Sequence, residues 1–393
     1  VKIRLYSHTS LRTGYARAAD ELAFSLLAAG AELEIVPLSA PPEARAWTDK
    51  NVALKRYLTP SRHEHRPLGP DVIIVHTLPY DCARVLEIAR LIDSADRTWR
   101  RIPGCPLVAY TTWEGYDVPP AEMIERLQVF DLVLTPNMAG AADLKEAGLE
   151  RVDALPHAYD DTISADPSMG SDHLDLTHRR YRFYSHGAWS GRKNPSGVIR
   201  AFARAFTPAD NVELRMFSAG TTHEAFAVAV RATGLAPDEI PPIRLISDYL
   251  TDDEVHDMHR DNDCFVSATR GEAWNLPCFE AMLAGRHIIT TMGVGSDDYL
   301  ARTSAERVSA HRAPAQHDVT IEDGKAKPWG AQGLTVKHDW LEPNLLEMAS
   351  AMRDAYDRRV RDLVVNYDVA NRYGRRAVGA SALRILQSLR SRA

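Results

Sequence analysis

Apolar and polar positions along the chain form short buried runs that alternate with helical periods. Lys2 to Ser7 alternates as a strand, and Arg17 to Ala29 sets Leu22, Leu26 and Leu27 on one face of a helix closed by Gly30. Glu32 to Pro37 predicts a second strand, and the β-branched run Asp71 to His76 predicts one buried on both faces. Pro106 to Thr112 and Asp131 to Pro136 predict two more, before a helix over Met138 to Ala147 and a strand near Val152. Asp160 to Arg180 is polar and aperiodic, and reads as a linker. The pattern then restarts. A strand in Arg182 to His186 leads to a helix burying Val198, Ile199, Phe202 and Phe206. Strands follow over Glu213 to Ser218 and Ile243 to Ile246, and a further helix is capped around Thr251. Cys264 to Ala268 and His287 to Thr291 predict strands on either side of a helix from Pro277 to Gly285. Asn344 onward reads as helical, with Leu345, Leu346, Met348, Met352 and Tyr356 on one side, and Ser381 to Leu389 is the last helix. Ser39 to Pro70 reads as loop with a short helix, residues 292–300 as a flexible loop, and Pro314 to Val336 as irregular. Alternating strands and helices define an α/β protein.

The stretch from Cys264 to Gly285 is a strand, a loop and a helix start, the place where open α/β sheets bind ligands. Asn275 suits a side-chain cap, Pro277 the first turn and Gly285 a left-handed C-terminal residue. Glu272 falls in the loop and Glu280 about one turn into the helix, so both carboxylates can face one crevice and accept hydroxyl hydrogen bonds from a sugar or ribose. The spacing alone fits an ordinary capped helix equally well. The longer string RGEAWNLPCFEAMLAGRHIITT, residues 270–291, resembles the glutamate-seven-residue-glutamate signature of family 4-type retaining glycosyltransferases of the GT-B fold.

That resemblance implies two Rossmann-like domains with the active site in the cleft between them. It divides the chain into an acceptor domain over 1–165, a linker over 166–180, a nucleotide-sugar domain over 181–370, and a helix over 371–393 returning to the first domain. In the role it implies, Glu272 contacts the donor sugar, backbone groups from Gly271 through Ala273, Trp274, Asn275 and Leu276 meet the phosphates, and Glu280 holds the ribose. Lys193, before Asn194 and a helix, matches the lysine of the family's basic pair. Ala188 stands where the arginine belongs, which leaves Arg192 as its substitute. Gly14 and Tyr15 match the first glycine loop, which is not GxGxxG and argues against a dinucleotide fingerprint; a plain strand-helix turn fits Tyr15 as well. The resemblance implies that the residues just before the helix capped at Thr251 border the nucleobase, which makes Asp248, Tyr249 and Leu250 candidates for base recognition, mainly through backbone groups. Glu114 replaces the family's loop histidine, so that role does not transfer; it either orients the acceptor, acts as base or is a loop residue. His76, ending its strand, either lines the crevice or is a satisfied rim residue.

Composition narrows the class further. With 393 residues, 45% hydrophobic and 25% charged, the chain can bury two cores. A net charge of -6 gives no general attraction to polyanions. Residues 351–393 nevertheless hold ten arginines against four aspartates, and this basic end permits contact with an anionic membrane or nucleic acid, or is a solvated face. Cys82, Cys105, Cys264 and Cys278 lack metal-ligand spacing and read as reduced core residues of a cytoplasmic protein, at most peripheral to a membrane. His63 and His65 flank Glu64 without further ligands nearby. No apolar run reaches the length of a bilayer span, and VKIRLYSHTS lacks a signal-peptide core.

The expected activity is metal-independent transfer of a hexosyl group from a UDP- or GDP-sugar to an acceptor hydroxyl, with retention and no cofactor. Glycan, lipid, small-molecule and modified-nucleobase acceptors stay open. The alternatives are a nucleotide-sugar epimerase or hydrolase, with Glu114 or His76 as base, and a catalytically silent nucleotide-sugar-binding protein.

Overall fold

The computed structural model describes residues 1–9, 13–38, 51–58, 69–88, 105–116, 119–160, 179–315, 319–322, 325–328 and 339–390. The chain splits into two compact units, one of Val1–Trp113, Val118–Ser164 and Asp368–Ala393, the other of Glu114–Asp117 and Ala165–Tyr367. His63, Glu64, His65 and most of the expected linker lie outside the described residues.

The first unit runs β1 (Lys2–Ser7), α1 (Gly14–Ala28), β2 (Glu32–Pro37), a 3-10 helix (Val52–Tyr57), β3 (Val72–His76), α2 (Pro79–Ile88), β4 (Leu107–Tyr110), α3 (Ala121–Leu127), β5 (Leu132–Thr135), α4 (Met138–Glu146) and β6 (Val152–Ala154). Its six strands lie in the order β2-β1-β3-β4-β5-β6, all parallel. Every residue of β3 is buried, as its β-branched run requires of a strand covered on both faces. One core holds Ile73, Val75, Leu86 and Met123, and a second, built on Ile3, Leu5, Leu22 and Leu26, takes in Val378, Ala382 and Leu386.

The second unit runs β7 (Tyr181–His186), α5 (Pro195–Ala205), β8 (Val212–Phe217), α6 (His223–Arg231), β9 (Ile243–Ile246), α7 (Asp252–Asp261), β10 (Cys264–Ser267), α8 (Leu276–Leu283), β11 (His287–Thr291), α9 (Asp297–Leu300) and β12 (Glu306–Val308). These strands form a parallel sheet ordered β12-β11-β10-β7-β8-β9. Strands β13 (Ala310–Pro314), β14 (Val319–Glu322), β15 (Lys325–Pro328) and β16 (Asp339–Pro343) form two antiparallel pairs, and α10 (Leu345–Asp357) follows. The chain then rejoins the first unit as α11 (Ala370–Tyr373) and α12 (Arg375–Arg390), and α12 packs on α1. That packing is close: a Cβ at Gly379 would overlap the Ser25 carbonyl oxygen. Arg375 clamps Glu21 at 2.7 and 2.8 Å and Asp160 at 2.8 Å.

Several local expectations need correction. The chain beyond Pro314 contains β14 and β15 rather than being irregular throughout; the overlooked signal is an Asp-Gly pair, residues 323–324, between two alternating runs. Residues 292–300 are not a flexible loop, since Val294, Ser296, Tyr299 and Leu300 are buried and α9 forms within them. The last helix starts at Arg375 rather than Ser381, because Val378 and Gly379 also face α1. Leu346 is exposed, unlike Met348 and Met352, because it lies on the outer side of α10.

Three of the ten arginines of the basic end are engaged internally: Arg353 pairs with Asp210, Arg361 with Asp263 and Arg375 with Glu21 and Asp160. All four cysteines are buried and free. Among the described residues no helix is long and apolar enough to cross a membrane.

Candidate active site

In each sheet the chain starts in the middle, winds to one edge and returns to the other side of its first strand, and loops at the carboxyl ends flanking such a reversal diverge to leave a crevice. In the second unit the reversal lies between β7 and β10. Their following loops, residues 187–194 and 268–275, carry Lys193, Arg192 and Glu272.

These two loops are tied together by their own polar groups. The Arg270 amide donates to the Arg192 carbonyl at 2.8 Å, the Arg270 guanidinium donates to the Gly191 carbonyl at 2.6 Å, and Arg192 Nη1 donates to the Gly271 carbonyl at 2.6 Å. Thr269 Oγ1 donates across to the Arg192 carbonyl at 3.3 Å and, within its own loop, lies 3.1 Å from Glu272 Oε1. Glu342 holds the other side of Arg270 at 2.5 and 3.1 Å.

The ties bring both cations onto one buried carboxylate. Lys193 Nζ lies 2.5 Å from Glu272 Oε1 and Arg192 Nη1 lies 3.2 Å from Oε2, while the Glu272 side chain is only 3% exposed. Burial pushes this carboxyl up, but the charges of Lys193 and Arg192 outweigh it and hold it below the usual carboxylate range. Arg192 Nη2 also reaches Glu114 Oε2 at 3.0 Å. Arg192 thus stands as a second basic group beside Lys193 on the same carboxylate. Glycine at 271 is required here, because a Cβ would overlap the Glu114 carbonyl oxygen.

Both helices that leave these loops begin alike. Asn194 and Asn275 are N-cap residues in the left-handed region, with φ of 52° and 63°, each followed within the first two helical positions by proline. Asn194 Oδ1 accepts from the Gly197 amide at 3.0 Å. Asn275 makes no such side-chain cap; its Nδ2 instead donates to Ser267 Oγ at 3.4 Å, so the expected cap is replaced by a bond back to β10. Helix α8 starts one residue earlier than expected, at Leu276. Trp274 packs its indole against Phe279 and Tyr299 and Ala273 is buried, so both offer the crevice chiefly main chain. Tyr299 Oη donates toward the Trp274 and Asn275 carbonyls at 3.0 and 3.1 Å, and the Gly295 amide donates to the Glu272 carbonyl at 2.8 Å.

Glu280 projects from α8 with Oε2 3.8 Å from Nε2 of the buried His259. Tyr249 is exposed and Leu250 partly buried, just before the capping box of Thr251 and Glu254 that starts α7. The remaining predicted residues belong to the first unit, whose reversal lies between β1 and β3. Gly14 opens α1 behind the Thr13 cap, and the Tyr15 hydroxyl bonds to that of Thr112. The Tyr15 ring lies 5.7 Å from that of His76, which is buried with neither ring nitrogen hydrogen-bonded. Tyr110 donates to the Leu155 carbonyl at 2.7 Å and sits 2.9 Å from His157 Nδ1. Burial, with His157 and His8 nearby, pushes His76 down to about 3, and burial pushes His157 down to about 3, so both imidazoles are neutral.

Thr269, Arg270, Gly295, Tyr299 and His259 were not singled out by sequence. Glycines in residues 292–300 hinted at Gly295, whereas nothing in the polar run of α7 marks His259. Among the described residues no cluster of three or more His, Cys, Asp or Glu is placed to hold a metal.

No known family profile matches the sequence, and no curated protein matches it. Solved structures do. A glycosyltransferase from Rickettsia africae ESF-5 aligns with a TM-score of 0.59 at 11% identity, covering 100% of this chain and 99% of that one. The lipopolysaccharide outer core galactosyltransferase WaaB, in its apo form, aligns at 0.59 and 10% identity over 99% of each chain. Anabaena Alr3699/HepE in complex with UDP-glucose aligns at 0.54 and 12% identity, over 100% of this chain and 97% of that one. At such identities the likeness is one of fold: two Rossmann-like α/β units, each with a parallel six-stranded sheet, as in the GT-B glycosyltransferases.

Proposed function

We propose that this chain is a retaining, metal-independent glycosyltransferase that moves a hexosyl group from a UDP- or GDP-sugar to an acceptor hydroxyl. The observation that carries the reading is the convergence of Lys193 and Arg192 on buried Glu272 at the sheet reversal. A departing nucleoside diphosphate gains negative charge, and a fixed cation meeting that charge contributes about 3 kcal/mol to lowering the barrier. On this reading the diphosphate takes over Lys193 and Arg192 from Glu272, with further support from main-chain amides at the start of α8. Glu272, released from Lys193, accepts hydroxyl hydrogen bonds from the donor sugar.

Glu280 takes the ribose, and the segment around Tyr249 and Leu250 borders the base. In a front-face route the C–O bond to the diphosphate breaks as the acceptor oxygen bonds to the anomeric carbon on the same face, and the leaving phosphate oxygen receives the acceptor proton. That route needs no separate protein base. Glu114 then serves to orient Arg192, its partner at 3.0 Å. Uridine donors are the first to test, since the HepE structure holds UDP-glucose.

The test is thermal stability of the purified chain against uridine, guanosine, adenosine and thymidine diphosphates and their sugars, with Glu280→Ala in parallel. A ligand that binds only the native state raises Tm by mass action, about 2.7 kcal/mol at a hundredfold excess over Kd. One nucleotide class stabilising the wild type but not the variant is expected. No shift with any of them overturns the donor-site reading. NMR of the transferred sugar's anomeric configuration tests retention.

A further inference from the structure

Helices α5 and α8 start on the same kind of residue but close their first turns differently. In α5 the Asn194 side chain accepts from the Gly197 amide at 3.0 Å. In α8 the Asn275 side chain forms no cap and turns back to Ser267 Oγ at 3.4 Å. Among the described residues the Asn275 and Leu276 amides donate to no acceptor. What holds this backbone instead is Tyr299 of α9, which is fully buried. Its hydroxyl lies 3.0 Å from the Trp274 carbonyl and 3.1 Å from the Asn275 carbonyl. A carbonyl only accepts, so the phenol donates and shares its one proton between the two. Burial pushes that phenol well above its ordinary range and keeps the proton in place. The ring packs on those of Trp274 and Phe279 at 5.0 and 5.1 Å, and the Tyr299 carbonyl accepts in turn from the Tyr367 hydroxyl at 2.5 Å. With the Gly295 amide on the Glu272 carbonyl at 2.8 Å, one short segment draws in three carbonyls of the Glu272 loop. A trans peptide unit is planar, with its N–H opposite its C=O. Drawing the Trp274 and Asn275 carbonyls toward Tyr299 therefore turns the Asn275 and Leu276 amides away from it.

We propose that Tyr299 is a positioning residue for the donor diphosphate: from behind the loop it pins two successive carbonyls and so aims the Asn275 and Leu276 amides at the phosphates. The inference rests on the donor-site reading above and adds to it the group that fixes the direction of the main chain. Asn275 in the left-handed region and Leu276 in the helical region set successive amides around a concavity suited to an anion. Pro277 has no amide proton, so these two amides lead the helix start. Donors already anchored meet an anion without reorganising, whereas a peptide unit free to rotate is ordered only as the ligand arrives.

The experiment compares UDP with uridine, or GDP with guanosine if that diphosphate is the one that stabilises the protein, by calorimetry in the wild type, Tyr299→Phe and Tyr367→Phe. Tyr299→Phe keeps the ring and removes only the donor. It should cut the preference for diphosphate over nucleoside about tenfold, as expected for one misaimed charge-assisted hydrogen bond, and leave nucleoside affinity unchanged. Tyr367→Phe removes a bond to the Tyr299 main chain but none to the loop, and should keep the ratio. A purely structural role would weaken diphosphate and nucleoside alike. An unchanged ratio in a folded Tyr299→Phe protein, or an equal fall in Tyr367→Phe, overturns the inference alone. Should Tyr299→Phe fail to fold, NMR of the wild type decides: the diphosphate should move the Asn275 and Leu276 amide protons downfield and the nucleoside should not, and unmoved resonances overturn the inference. A wild type that binds neither UDP nor GDP overturns the donor-site reading itself.

Discussion

Replacing Glu272 by glutamine removes the one negative charge between two cations while keeping the shape of the side chain. In the native protein that carboxylate accepts from Lys193 at 2.5 Å, from Arg192 at 3.2 Å and from Thr269 at 3.1 Å. Removing one partner of a buried ion pair costs about 3–5 kcal/mol. Here Lys193 and Arg192 keep 19% and 23% of their side-chain surfaces in contact with solvent, and Arg192 retains Glu114, so the lower end applies. About 3 kcal/mol, spread over a unit of this size at about 2–4 °C per kcal/mol, lowers the unfolding midpoint by about 6–12 °C. A diphosphate that restores the missing charge should recover much of this.

The same reasoning gives a second sign in the same assay. Wild-type Glu272 competes with a diphosphate for Lys193, and the glutamine does not. UDP at saturating concentration should therefore raise the midpoint of Glu272→Gln by more than it raises the wild type, a tenfold gain in affinity being about 1.4 kcal/mol. Transfer activity should fall all the same, since the sugar loses its charged acceptor. Differential scanning fluorimetry with and without UDP reads both effects. A fall below about 3 °C, or a UDP shift smaller than that of the wild type, refutes the argument that Lys193 and Arg192 are held ready by Glu272.

Two further perturbations probe what surrounds this pair. Gly295→Ala sets a Cβ against the Ala273 and Glu272 carbonyls and must displace the Glu272 loop; stability should drop by about 1–3 kcal/mol, whereas kcat/KM should drop about a hundredfold if the loop moves by an ångström. An unchanged kcat/KM in the folded variant would show that the glycine only packs. His76→Leu replaces a buried imidazole whose nitrogens bond to nothing, and should not destabilise the protein at neutral pH. Because burial holds His76 neutral down to about 3, against 6.5 when unfolded, the unfolded chain binds the proton first as pH falls. Its contribution to stability is present in full above 6.5 and is lost as pH falls from there toward 3, by about 1.4 kcal/mol per unit. The variant should therefore outlast the wild type between pH 6 and pH 4 in chemical denaturation; parallel acid curves would count against this.

Most strands were legible because each is a self-contained run. β2 and β9 coincide with their predicted limits, and β3 differs by a single residue; for β3 the reason is that a β-branched run bounded by polar residues suits a strand covered on both faces. Features set by neighbours were not legible. The extra turns of α12 depend on Gly379 meeting Ser25 of α1, and the packing of residues 292–300 depends on the Glu272 carbonyl. Of the candidate site, the string around Glu272 marked the loop and the resemblance singled out Arg192, but no local pattern showed that Arg192 would turn to the same carboxylate. Its direction is decided by the Gly271 carbonyl and by Glu114, some eighty positions away in the chain, and no local period encodes such a contact.

The ion-pair chain Glu114, Arg192, Glu272, Lys193 also bears on how the proposed diphosphate site folds without its ligand. Two uncompensated cations in a partly buried crevice would destabilise the unit, and a cavity lined with fixed positive charge would be filled by whatever anion is present. Glu272 cancels that charge internally, and Glu114 takes the side of Arg192 that Glu272 does not reach. The cancellation is asymmetric. Lys193 has only Glu272 as an ion-pair partner among the described residues, whereas Arg192 keeps Glu114 and the Gly271 carbonyl when Glu272 turns away. On the proposed reading an arriving diphosphate would meet a lysine it can capture whole and an arginine already held in place. A longer cation at 188 would add a third positive charge to the loop that carries Lys193 and Arg192, so Ala188→Arg should lower the stability of the ligand-free protein and raise its affinity for inorganic pyrophosphate.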